Sequence, residues 1–203
     1  MSVGKAGNFS IQYPQDKGAM GTWIFHRNDG LSVCLLNGAF ANHTKLSSYR
    51  KSRGKIMMEL ANNPDFLSWY STVDLRDIEP FTLVVRSVNN LYEFRWDSEK
   101  KHIVELNLNR FYIWCSSTLY TQDEMAKRQI LFHTFLEQTK YSPDSNEILH
   151  FHLHGDLSDP RINLRMVRAD GTQTLSITQI INKSGISDIQ YLDLLAENEN
   201  GSG

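Results

Sequence analysis

Cysteine is scarce in this chain of 203 residues, which carries two, Cys34 and Cys115. Each sits inside an apolar, strand-like run, and the pair reads as buried, reduced thiols of a cytoplasmic protein. An excess of positive charge is also missing. Lysine and arginine number 21 against 23 acidic residues, for a net charge of −2, which argues against a dedicated nucleic-acid binder. Long hydrophobic runs are absent. Stretches such as Phe81-Thr-Leu-Val-Val85 and Phe111-Tyr-Ile-Trp-Cys115 fall far short of a membrane span. Residues Met1 to Gly7 offer no apolar segment of the kind that marks a secretory signal. No glycine-rich phosphate loop, CxxC pair or Gly-x-Ser-x-Gly elbow occurs, and neither an internal repeat nor a linker is visible.

What is present suffices for a full core. The chain is 40% hydrophobic, 11% aromatic and 22% charged, and its length suits one domain of ordinary size. Residues 1–195 are expected to form that domain. The polar tail from 196 to 203 is expected to be disordered.

Periodicity predicts the elements. Residues 20–26 and 31–36 read as two strands joined across Asn28-Asp-Gly30, whose Asp-Gly step signals a hairpin. Both are apolar on either face, as in strands covered on two sides. Tyr49, Ile56, Met57 and Leu60 then fall on one side of a helix over about 48–61. Asn63-Pro-Asp65 reads as N-cap, first helical position and first-turn acid of a short second helix carrying Phe66, Trp69, Tyr70 and Val73. Residues 81–115 are strand territory. Within it Tyr92, Phe94 and Trp96 alternate with Glu93, Arg95 and Asp97 as a half-wet strand, and 111–115 reads as a further strand. Thr121 and Glu124 have capping-box spacing and open a helix over 122–139. Its apolar arc holds Met125, Leu131, Phe132, Phe135 and Leu136. Ser142-Pro-Asp144 starts another helix running to about 151. Residues 164–168 and 173–179 are expected to form a hairpin across Ala169-Asp-Gly171, with 189–194 as an edge strand. This order predicts an α+β layered sandwich of antiparallel sheets with helices outside.

Three polar groups are candidates for chemistry. His150-Phe-His-Leu-His154, followed by Asp156, would share one face on a strand and hold zinc. On a helix, His150 and His154 would meet and His152 would turn away. Neither set completes a zinc signature, and no structural zinc is expected. Tyr49-Arg-Lys-Ser-Arg-Gly54 would grip a phosphate or carboxylate at a helix N-terminus, or form a solvated basic first turn. Asp156 and Asp159 with Arg161 read as surface charge.

Gly21-Thr-Trp-Ile24, Asn28-Asp-Gly30, Cys34-Leu-Leu-Asn-Gly-Ala-Phe40 and Tyr49-Arg-Lys-Ser-Arg-Gly54 resemble the NRDE family, related to the transport and Golgi organisation 2 proteins. Ile78-Glu-Pro-Phe-Thr-Leu-Val84, Asn90-Leu-Tyr92, Arg95-Trp96, Tyr112-Ile-Trp114, Thr118-Leu-Tyr120, Ile148-Leu-His-Phe151 and Ser176-Ile-Thr178 extend the likeness over about 9–194. The resemblance implies a four-layer αββα sandwich of the N-terminal-nucleophile hydrolase type, with choloylglycine-type amidases as relatives. In those amidases an N-terminal cysteine attacks the amide carbonyl with its own α-amine as base, and in the family the Asn-Arg-Asp-Glu signature supplies a supporting Arg–Asp pair. This chain begins Met1-Ser2 and lacks that signature. His26-Arg-Asn-Asp29 is only superficially similar. The family's N-terminal strands are therefore expected to be missing, and an amidase inactive in this form is expected.

The resemblance places Asn37 where relatives keep an oxyanion-donating asparagine. It sets Ser116 where they carry another, and Arg161 or Arg165 near a late arginine. Trp23, Gly38, Arg50 and Arg53 belong to the matching motifs and are the implied ligand-binding residues. No cofactor is required. The relatives' link to haem and lipid handling implies, as the alternative function, a non-enzymatic carrier of a small-molecule or lipid-like hydrophobic ligand such as haem.

Overall fold

A computed structural model describes residues 1–16, 21–183 and 186–195. The chain divides into two compact units, Met1–Leu119 and Tyr120–Gly203.

The first unit is built on a seven-stranded antiparallel meander in the order β1 to β7. Its strands are β1 (Ser2–Ala6), β2 (Phe9–Tyr13), β3 (Ile24–Arg27), β4 (Ser32–Asn37), β5 (Phe81–Arg86), β6 (Leu91–Trp96) and β7 (Lys101–Leu106). The predicted 20–26/31–36 pairing forms, with Ile24 opposite Cys34 and Phe25 opposite Val33. The turn between them closes as the Asp-Gly step requires, Arg27 N donating to Leu31 O at 2.7 Å and Gly30 N to Arg27 O at 2.9 Å. Residues 2–6, for which periodicity predicts no element, form β1. It pairs with β2 from Ser2–Tyr13 to Ala6–Phe9. Five residues with one glycine carry too little side-chain alternation to announce a strand, so backbone pairing makes it.

Two helices enter between β4 and β5, α1 (Arg53–Ala61) and α2 (Phe66–Thr72). They cover the face holding Phe25, Val33, Leu83 and Phe94, and Ile56, Met57, Leu60 and Tyr70 complete that core with at most 1% exposure each. Tyr70 stacks on Phe94 at 4.4 Å between ring centroids. The alternation in β6 is as predicted, with Tyr92, Phe94 and Trp96 buried and Glu93 and Arg95 paired at 2.8 Å on the other face.

Three local expectations change. Helix α1 starts at Arg53 with Ser52 as N-cap, not near 48. Arg50 N donates to Asp77 O at 2.8 Å and Lys51 bridges in parallel to Ile78, which draws 50–51 into extended backbone. The N-cap of α2 is Asp65, whose carboxylate accepts from Leu67 N and Ser68 N, while Asn63 Oδ1 takes the Asp65 amide at 3.1 Å. A carboxylate accepting two amides at a positive helix end displaces the asparagine two residues earlier. Residues 111–115 form no strand. That segment is anchored through its side chains: Trp114 Nε1 donates to Glu93 Oε2 at 2.8 Å, and Tyr112 Oη accepts from Asn107 N at 3.0 Å.

The second unit contains α3 (Gln122–Gln138), α4 (Ser145–His154) and a two-stranded ribbon of β8 (Ser176–Lys183) and β9 (Ile186–Asp193). Helix α3 opens on the predicted Thr121–Glu124 capping box. Asp144, rather than Ser142, caps α4, forming a box with Glu147. Leu136 and Arg128 are the buried residues of α3, whereas Met125, Leu131, Phe132 and Phe135 are half-buried. Phe135 stacks on Phe151 at 4.5 Å. The Ala169-Asp-Gly171 turn forms, yet only Val167 and Gln173 bridge across it. The strand proper begins at Ser176 and pairs with β9, which covers the predicted edge strand. The tail predicted to be disordered lies outside the described residues. Among the described residues no helix is long and apolar enough to cross a membrane.

Candidate functional site

In the first unit the chain converges at the C-terminal end of β4 and the N-terminus of α1. A cavity of about 230 Å³ opens there, and its lining includes Trp23, Asn37, Arg53 and Glu79. Three of the predicted residues, Trp23, Asn37 and Arg53, thus come together across 30 positions of sequence.

Backbone proximity builds the floor. Gly21 and Gly54 lie against each other, and a Cβ on Gly21 would stand 3.1 Å from Gly54 Cα. The segment leading into β3 can therefore touch the first turn of α1 only because neither residue has a side chain. Trp23 follows at once, its carbonyl accepting from Leu35 N at 2.7 Å, and its side chain is 36% exposed. Asn37 ends β4 opposite Phe81. Gly38 then turns the chain at φ +81°, where a Cβ would lie 2.2 Å from Ser117 Oγ. Its amide donates to Pro80 O at 3.0 Å, and its carbonyl accepts from Thr82 Oγ1 at 3.0 Å. Gly38 shapes the strand end, and the serine packed against it is Ser117, not Ser116. Ser116 is not among the residues lining the cavity.

Charge at the cavity is organised around Glu79, a residue that the sequence reading did not single out. Arg53 Nη2 stands 3.1 Å from Glu79 Oε2, and His43 Nε2 stands 3.3 Å from Oε1. Arg53 Nη1 also donates to Pro80 O at 3.2 Å. Burial draws the Arg53 pKa down, while Glu79 opposes that shift. The rest of the basic motif is spent elsewhere. Arg50 donates to Arg76 O and Asp74 O, and Lys51 pairs with Glu59 at 2.5 Å. Those contacts tie the segment ahead of α1 to the 74–78 loop and leave Arg53 as the cation of the motif that faces the cavity. The signal for Glu79 was available in the quoted Ile78-Glu-Pro80 motif, but nothing local said that it would meet Arg53.

The hydroxyls around the cavity are committed to structure. Ser52 Oγ accepts from Lys55 N as the α1 cap, and Thr22 Oγ1 lies within 2.8 Å of the Pro14 and Ile24 carbonyls. Neither Ser52 nor Thr22 has a base bonded to its oxygen in the way an activated nucleophile requires. The Cys34 thiol, in the middle of β4, is pushed up to about 11 by burial and stays protonated at neutral pH. The site can therefore bind a small polar or planar ligand through the Trp23 ring, the Asn37 amide and the Arg53–Glu79 pair.

Ser2 is remote from it. Ser2 faces Tyr13 on β2, and the registers of β2 with β3 and β3 with β4 carry that level to Val33. Asn37 lies three strand spacings across and four residues further along, a separation of about 20 Å from the ordinary spacings of a sheet.

Two other predicted groups belong to the second unit. Arg161 is exposed and clamps Asp159 through contacts of 3.0 and 2.7 Å, as surface charge. The histidine cluster lies on α4, where the His150 and His154 rings stand 4.4 Å apart. The helical period places His152 on another face, and its pKa is drawn down by burial and by Arg128. Among the described residues no group of three or more histidines, cysteines or acids could hold a metal ion.

Comparison with known proteins finds likeness in structure only. No family model matches the sequence, and no curated protein matches it. Among solved structures, the chain is similar to a variant of the conjugated bile acid hydrolase from Clostridium perfringens, with a TM-score of 0.53 and 11% identity, covering 97% of this chain and 80% of that one. A second mutant of the same hydrolase gives a TM-score of 0.52 at 11% identity with the same coverage. The likeness shows a shared fold with that hydrolase.

Proposed function

We propose that this chain is an NRDE-family protein on a four-layer amidohydrolase scaffold, and that the cavity at the end of β4 binds a small ligand without hydrolysing amides in this form. The observation that carries the reading is the separation of parts. Asn37 and the Arg53–Glu79 pair sit at the cavity, whereas Ser2 begins the edge strand β1. Amide attack needs a nucleophile and its base within hydrogen-bond reach of each other and of the carbonyl. A gap of about 20 Å, from ordinary sheet spacings, forbids that for Ser2. The likeness to a bile acid hydrolase supports the scaffold, and the glycine-bearing motifs that make the cavity floor support the family assignment.

The test uses N-acyl amino acids, molecules with an amide and one charge for the Arg53–Glu79 pair to read. Turnover is followed by mass spectrometry and binding by quenching of tryptophan fluorescence. The expected result is saturable quenching without turnover. Binding should weaken about tenfold in Arg53→Met, the loss typical of one charge-assisted contact. Turnover that vanishes in Ser2→Ala would overturn the proposal, and so would quenching that persists in Trp23→Phe together with Arg53→Met.

A further inference from the structure

The second unit holds a larger cavity, of about 630 Å³, between α4 and β8. Its walls are two stripes that the periods of a helix and a strand set face to face. Ser145, Ile148, Leu149 and His152 follow one another at helical spacing on α4, and Ile177, Gln179 and Ile181 alternate along β8. All seven line the cavity, as do Thr178, Ile180 and Asn182 between them on β8. Stripes of this kind normally close on each other as a helix–sheet core. Here Ile148, Leu149, Ile177 and Ile181 are all left half-buried, and the space between them is of the size that holds a small organic ligand.

The polar groups around the cavity are mostly spent. Asp144 accepts from Asn146 N and Glu147 N at 2.8 Å as the cap of α4. Gln179 Nε2 donates to Ser145 O at 2.6 Å, tying strand to helix. That leaves branched apolar side chains, the His152 imidazole, the buried Thr178 hydroxyl, which has no hydrogen-bond partner among the described residues, and, at the end of β8, the exposed Lys183 ammonium, which has no ion pair among the described residues. We infer that the α4–β8 cavity binds an apolar molecule bearing a single carboxylate, of the fatty-acid class, with the chain against the isoleucine stripes and the carboxylate toward Lys183. The complementarity runs one way. A cation would meet Lys183 with like charge, while Asp144, the acid at the rim, has its Oδ1 bonded to two amides of α4. A fully polar ligand would give up its own hydration against four aliphatic side chains that return no hydrogen bond.

The experiment titrates the full chain with cis-parinaric acid, a fluorescent long-chain fatty acid, and with its methyl ester. Saturation at one equivalent is expected, with the ester weaker by about two- to fivefold, as for loss of one exposed ion pair. Lys183→Ala should remove that preference for the acid. Ile181→Trp should abolish binding by filling the cavity, and Ile148→Phe gives the same readout should the first variant melt early. Asn37→Ala and Arg53→Met, at the other cavity, should leave parinarate binding unchanged, so that this inference and the function proposed above fail separately. Unsaturable uptake, or full affinity in both cavity-filling variants, would overturn the inference. Equal affinity for acid and ester would overturn the carboxylate assignment.

Discussion

Removal of the Arg27 guanidinium is expected to be among the most damaging single changes in the first unit. Arg27 is 1% exposed and holds four groups together. It donates to both Asp29 carboxylate oxygens at 2.8 and 2.7 Å, and to Ala61 O at the end of α1 and Asn63 O just past it at 3.2 and 2.5 Å. Its guanidinium also lies 3.8 Å from the centre of the Phe9 ring, so one side chain links β2, the β3–β4 turn and the end of α1. Arg27→Met keeps the length and apolar stem while leaving the two carbonyls without a partner. Breaking a buried, hydrogen-bonded charge in this way costs about 3–5 kcal/mol, with each orphaned buried carbonyl contributing roughly 1–3 kcal/mol. Asp29→Asn should cost less, because the Asp29 side chain is 40% exposed and the carbonyl contacts survive. The pair also has a pH signature. Burial pushes the Asp29 carboxyl up, but the Arg27 hydrogen bonds and charge, with the Leu31 amide, hold it below its ordinary value. A depressed carboxylate stabilises the fold above its unfolded pKa, near 3.9, and that contribution is lost as pH falls through the folded value. Urea unfolding of wild type, Arg27→Met and Asp29→Asn, followed by circular dichroism at neutral pH and near pH 3, measures both effects. A loss below about 1 kcal/mol in Arg27→Met would refute the reasoning, as would equal losses in the two variants.

Gly38→Ala should destabilise by about 1–3 kcal/mol, because alanine resists positive φ and its Cβ would meet Ser117 Oγ. Part of the loss should return in Gly38→Ala with Ser117→Gly, and full stability of the single variant by thermal melting would count against the packing described. Cys34, its thiol raised to about 11, should be alkylated by iodoacetamide at pH 8 far more slowly in native protein than in urea. Equal rates would place that thiol in solvent.

Each element was legible in the sequence to the degree that its signal was local. The Thr121–Glu124 box, the alternation of β6 and the Asp-Gly turn depend on residues within a few positions of one another, and each formed as read. The strand expected over 111–115 failed because apolarity alone does not provide a pairing partner. In its place Trp114 reaches Glu93, 21 residues earlier. Proline-led starts misplaced two caps by two residues, since Asn63 and Ser142 have the right chemistry but Asp65 and Asp144 carry the charge that a helix N-terminus favours.

By itself, then, the sequence determined the α+β class, the succession of four helices and of the strands from β3 to β7, and the glycine-bearing motifs that surround the candidate site. Tertiary structure alone decided that β1 and β2 extend the sheet, that Glu79 meets Arg53, and that Arg27 and Arg128 are buried. Arg27 reaches carbonyls 34 and 36 residues away, and Arg128 reaches others 34 and 35 residues away. A buried arginine is tolerable only where such partners converge, and their convergence belongs to the packed chain. Propensity, periodicity and capping act within a turn or two and can be read in order. Desolvation and hydrogen-bond partnership depend on which distant segments arrive, and those are fixed only when the fold closes.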